Sequence, residues 1–122
     1  MNIKLLSLSK NQDFKSLLTG KKISNKFVNI FFKNLSNKSN NYLNISFVTQ
    51  KKLGNAVKRN KIKRRLKYAV QKISEENELI DLNYTYVIFG KNNVYKDKFT
   101  YVLNETNATF KKIKQMDRYS WN

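Results

Sequence analysis

The chain has 122 residues, with 25 Lys and Arg against 8 Asp and Glu, and carries a net charge of +17. It contains no His and no Cys, which excludes His-based general acid–base work, Ser–His triads, disulfides and ordinary zinc centres. A charge of this size calls for a polyanionic partner, because self-repulsion destabilises a compact body unless counterions or a partner relieve it.

Hydrophobic residues make up 40% and aromatics 13%, enough to fold rather than stay disordered. The length fits one domain over 1–122, with a modest core and a tail at 115–122 that is expected to fray. No apolar run approaches the ~20 residues of a spanning helix, so no membrane partner is expected. The first residues have too short an apolar segment and no small-residue cleavage site for a signal peptide. With no Cys, this fits a cytoplasmic protein.

Taken in order, Ser9 and Gln12 form a capping box at the start of a short helix. Phe14, Leu17 and Leu18 give that helix an apolar face, and Gly20 closes it. Residues 26–33 read as a strand, with Val28, Ile30 and Phe32 on one face and Phe27 and Phe31 on the other. After a polar stretch at 34–41, residues 42–49 read as a second strand, with Leu43, Ile45 and Phe47 sharing a face. Two such runs across a polar loop suggest an antiparallel hairpin.

Residues 51–73 dominate the chain. Lys51, Lys52, Lys58, Arg59, Lys61, Lys63, Arg64, Arg65 and Lys67 are nine cations within seventeen positions, and no acid occurs between Phe14 and Ser74. Ile62, Leu66, Ala69 and Ile73 recur at i, i+4, i+7 and i+11, with Val70 widening the stripe, so the segment is a helix that buries one face. Lys61, Arg64, Arg65, Lys67 and Lys72 point away from that stripe, while Arg59 and Lys63 sit near its edge. Gly54 and Asn55 mark the start, a permissive backbone followed by a good N-cap. Solvated helices normally mix charge signs, so a run of one sign reads as a nucleic-acid surface.

Beyond it, residues 84–89 are apolar on both faces, as in a strand covered on two sides. Asp97 is placed to cap a last helix, with Phe99, Leu103, Phe110 and Ile113 as its stripe. Two-metal nucleases need clustered carboxylates. Glu75, Glu76, Glu78 and Asp81 lie close in sequence but read as a solvated turn, so no catalytic residue is expected.

Residues 52–64, KLGNAVKRNKIKR, resemble the signature of the protein subunit of bacterial ribonuclease P, K-x-G-N-A-V-x-R-N-x-x-K-R. Every fixed position matches. The family usually has Arg-Asn-Arg where this chain has Arg59-Asn60-Lys61, and Lys lacks the planar two-pronged phosphate contact of Arg. Asp13-Phe14 after a leader helix is a second, weaker likeness.

The resemblance implies an α+β fold of order α-β-β-(β)-α-β-α, a ribosomal-protein-S5-domain-2-like sandwich with a left-handed βαβ crossover, against the usual preference. It makes Lys22-Ile23 the candidate for an additional short strand. It implies that Lys51, Lys52, Asn55, Lys58, Arg59, Asn60, Lys61, Lys63, Arg64, Arg65 and Lys67 bind RNA. It places Phe14 in a cleft for the 5′ leader of precursor tRNA, with the second cleft aromatic at Ile30 and Phe31 beside it. From the residues alone, Phe14 reads equally well as core. The implied partners are the catalytic RNA and precursor tRNA, with no obligate protein partner. Mg²⁺ is expected to be held mainly by the RNA. The alternative is a structural RNA-binding protein, such as a ribosomal protein or RNA chaperone.

Overall fold

In the computed structural model, residues 5–6, 11–34, 42–76 and 79–119 are described. The elements are β1 (Leu5–Leu6), α1 (Asn11–Leu17), β2 (Lys21–Ser24), β3 (Val28–Lys33), β4 (Leu43–Val48), α2 (Ala56–Glu76), β5 (Thr85–Gly90), α3 (Asn92–Lys96) and α4 (Phe99–Tyr119), with a 3₁₀ turn at Lys51–Leu53 before α2. Ser9 of the expected capping box, most of the polar loop, Glu78 and Trp121 lie outside the described residues.

The sheet runs β1-β4-β5-β3-β2. β5 occupies the centre, antiparallel to β3 and parallel to β4. This corrects the expected hairpin: β3 and β4 do not pair with each other, because β5 lies between them. The physical reason is burial. β5 has five of its six residues buried, and the strand with two apolar faces belongs where both faces and both edges are covered. β4, α2 and β5 thereby form a parallel crossover unit. Lys22 and Ile23 do form a strand, β2, paired to Phe31 and Ile30. β1, parallel to β4, is a pairing that no local pattern announced.

Alternation divides the sheet into two faces. On one, Val28, Ile30 and Phe32 of β3, Leu43 and Ile45 of β4, and Tyr86 and Ile88 of β5 are buried in one cluster with Ile62, Leu66, Val70 and Ile73 of α2 and Val102, Phe110 and Ile113 of α4. Burying a Leu- or Ile-sized side chain fully is worth about 1.5–3 kcal/mol, so this stripe secures α2 whatever its charged faces do. Phe27 joins this cluster rather than the face of Phe31. It precedes the strand, in a turn where the Asn25 side chain accepts the N–H groups of Phe27 and Val28 at 2.8 and 3.0 Å. On the opposite face, α1 packs against β3 and β5.

The last helix begins at Phe99 without Asp97 as its cap. The Asp97 carboxylate turns instead to Lys26, 3.0 Å away, and Lys98 accepts the N–H of Tyr101. The buried hydroxyls of Thr106 and Thr109 are satisfied within α4 by the carbonyls of Val102 and Glu105.

Candidate nucleic-acid interface

The basic helix starts as its sequence requires. Gly54 adopts φ 143°, a region that L side chains avoid, and turns the chain into α2. The Asn55 side chain then accepts the Lys58 N–H at 3.0 Å, as an N-cap does. From this start Asn60, Lys61, Lys63, Arg64 and Lys67 are exposed and Lys58 and Arg59 half-buried, with Lys51 and Lys52 exposed on the preceding turn. The structure therefore gathers the cations along one helix and its entry.

Two details refine that surface. The Arg59 Nε is buried and has no partner among the described residues. Thr49, just beyond β4, and Asn92, at the start of α3, each hold a buried oxygen in the same condition, and both belong to the end of the sheet from which α2 departs. A buried guanidinium donor left unpaired is costly, and an incoming anion would satisfy it. Arg65, in contrast, is committed to the fold: its Nη1 donates to the carbonyls of Val94 at 2.9 Å and Asp97 at 2.8 Å. Arg65, expected to bind RNA, thus has part of its guanidinium engaged within the protein. In a basic run, charge alone does not distinguish a cation for a partner from one that ties two helices together.

On the α1 face, two cross-strand rows form the floor. One runs Val48–Phe89–Asn29–Ser24 and the other Ser46–Val87–Phe31–Lys22. The Phe14 ring lies 6.4 Å from Phe89, and Phe31 meets Phe89 edge-on at 5.6 Å. The Lys22 ammonium stands 5.5 Å from the Phe31 ring. All three residues are half-buried, so each both packs and keeps some surface accessible. Ile30 does not belong here. It has no exposed surface and lies in the core between sheet and helices, because its Cβ points to the face opposite Phe31. Phe89, which sequence reasoning left out of the cleft, lies between the other two. The signal was its place in β5, out of phase with Tyr86 and Ile88.

Among the described residues no three His, Cys, Asp or Glu come together in a metal-binding group, and no helix is long and apolar enough to cross a membrane.

A small α+β domain with a cationic helix, acid-free up to Glu75, on one side of its sheet and a trough of aromatic rings on the other is an RNA-binding protein. The family model "Ribonuclease P" matches residues 3–114, and the chain belongs to that family. A Staphylococcus aureus ribonuclease P protein is 27% identical, with 88% of this chain and 94% of that chain covered and a TM-score of 0.70. A mutant of the Staphylococcus aureus protein with defective mRNA degradation activity gives 26%, 88%, 87% and 0.70 in the same order. The Thermotoga maritima ribonuclease P protein shares the fold at 21% identity, covering 88% and 96%, with a TM-score of 0.66. No curated protein sequence matches. The chain is thus a protein subunit of ribonuclease P, the endoribonuclease whose RNA is the catalyst and which acts in tRNA processing. The ribosomal-protein and chaperone alternative is not favoured.

Proposed function

We propose that the α2 surface of Arg59, Asn60, Lys61, Lys63 and Arg64, with Asn55, Lys58 and the entry residues Lys51 and Lys52, docks on the ribonuclease P RNA. The trough of Phe14, Phe31 and Phe89 takes the unpaired 5′ leader of precursor tRNA. The observation that carries this reading is the buried Arg59 Nε, unpartnered among the described residues, at the head of a helix with no acid before Glu75. A cationic surface neutralises backbone phosphates, and partly exposed rings beside a lysine can stack unpaired bases. The two surfaces lie on opposite sides of the sheet, so one protein can hold the RNA and present the leader to it.

Mg²⁺ belongs to the RNA in this proposal, and the protein's part is to relieve phosphate repulsion where those ions bind. The complex works in the cytoplasm and needs no further protein. The chain has no His and, among the described residues, no carboxylate group for a metal. The protein alone is therefore expected to leave precursor tRNA and mRNA intact.

Reconstitution tests the proposal. Protein added to a bacterial ribonuclease P RNA should stimulate leader removal at low Mg²⁺, and protein alone should cleave nothing. For six to ten phosphate contacts, affinity should fall on the order of 10³–10⁵-fold between about 50 and 200 mM salt. A flat salt dependence, or robust cleavage without RNA that survives repurification, overturns it.

A further inference from the structure

Neither the Arg59 end of α2 nor the trough uses Tyr95. It stands on α3, is 39% exposed, and has two ammonium groups beside its ring, Lys58 Nζ at 5.1 Å and Lys61 Nζ at 5.2 Å from the centroid. The arrangement continues along α2. Tyr68, 51% exposed, packs against Phe99 at 5.3 Å, with Lys72 Nζ 5.6 Å from its ring. At about 100° per residue, Lys58, Lys61, Tyr68 and Lys72 follow one flank of the helix, whereas Arg59 and Lys63 follow the other. Cations and rings therefore alternate along a line.

Single exposed aromatics are ordinary on a protein surface. A row of them interleaved with ammonium groups is the arrangement that binds an unpaired strand, with rings stacking on bases and cations meeting the phosphates between them. The platform is also held in place: the carbonyls of Val94 and Asp97, on either side of Tyr95, are both fastened by Arg65. Asp97, the acid nearest in sequence, is engaged by Lys26 and does not oppose a phosphate. Exposed cation–π contacts are weak, so a phosphate can draw either lysine aside and free a ring face for a base.

We propose that Tyr95, flanked by Lys58 and Lys61, is a stacking platform for an unpaired base of the catalytic RNA, and that Tyr68 and Lys72 continue the same track. The proposal rests on the reading that α2 faces that RNA. The precursor leader is not the occupant, because the Phe14–Phe89–Phe31 trough lies across the sheet from α3.

The test titrates wild type, Tyr95→Leu, Tyr95→Trp and Arg59→Ala against a bacterial ribonuclease P RNA at two salt concentrations, with base-specific chemical probing of each complex. Tyr95→Leu should bind about tenfold more weakly with an unchanged salt slope. An unpaired nucleotide protected by wild type should become reactive, and Tyr95→Trp should restore both. If Tyr95→Leu binds like wild type while Arg59→Ala is impaired, the platform is refuted and the docking of α2 stands. If neither variant is impaired, the docking reading fails and the platform with it. A loss in Tyr95→Leu that Tyr95→Trp does not rescue, or that comes with a lower salt slope, shows a ring that only props the lysines and overturns the proposal.

Discussion

A Cβ added at Gly90 would stand 2.5 Å from the Ile62 Cγ2, so the basic helix rests directly on the backbone of the central strand. The same Cβ would lie 2.9 Å from Leu66 Cδ1. Ile62 is β-branched and stiff and fully buried, so it has little room to yield. Gly90→Ala is expected to cost about 1–3 kcal/mol of stability, as overpacking does, and to weaken RNA binding by tilting α2. Thermal unfolding and an RNA titration check it. An unchanged melting temperature would show that the helix seat is soft.

Phe31 and Ile30 are neighbours in sequence but face opposite ways, and mutation should separate them. Phe31→Ala and Phe14→Ala should weaken binding of precursor tRNA relative to mature tRNA by about 1–3 kcal/mol, the worth of a stacked base. Ile30→Ala should instead cost about 2–5 kcal/mol of stability and leave the precursor-to-mature ratio unchanged. If Phe14→Ala lowers stability and affects both tRNAs alike, its ring serves the core only.

Arg59 and Lys67 are both cations of α2 but differ in setting, one half-buried with an unpaired Nε and the other exposed. Arg59→Ala should cost about 1–3 kcal/mol in assembly with the RNA, as a positioned contact does. Lys67→Ala should mainly lower the salt slope by about one unit. Equal losses at both positions would reduce the motif to undirected positive charge.

The fold was legible where a pattern repeats over many residues. The stripe Ile62–Leu66–Ala69–Ile73 marked α2, and the doubly apolar run at 84–89 marked a strand covered on both sides. Strand order was not legible, because which strands pair is a non-local choice that a polar loop does not encode. α3, with five residues, is too short to show a period. In β3, plain alternation put Phe31 opposite Val28, Ile30 and Phe32. The family resemblance pointed to Ile30, and alternation was the better guide. Tyr95 had no signal of its own, since its role arises only when α3 folds back onto Lys58 and Lys61.

The Lys26–Asp97 pair gives a pH dependence with a definite sign. The hydrogen bond from Lys26, more than its charge, holds the Asp97 carboxyl below its ordinary value of 3.8. A lowered folded-state value stabilises the fold fully above that ordinary value, and the contribution is lost as pH falls through the lowered one. Acid unfolding of Lys26→Met should therefore lack this component. The effect is small, because the Lys26 side chain is 62% exposed. Identical acid limbs for both proteins would show that the pair contributes nothing.

The place of β5 between β3 and β4 also sets an order of events during synthesis. The central strand, residues 85–90, leaves the ribosome after both of its sheet neighbours and after the whole of α2. Until then β3 and β4 have no partner in common, and the cationic helix has only β4, not the central strand, to rest on. For that interval the nascent chain presents seventeen residues bearing nine cations and no acid, ahead of the core that will hold them, so their mutual repulsion must be screened by counterions until the sheet closes.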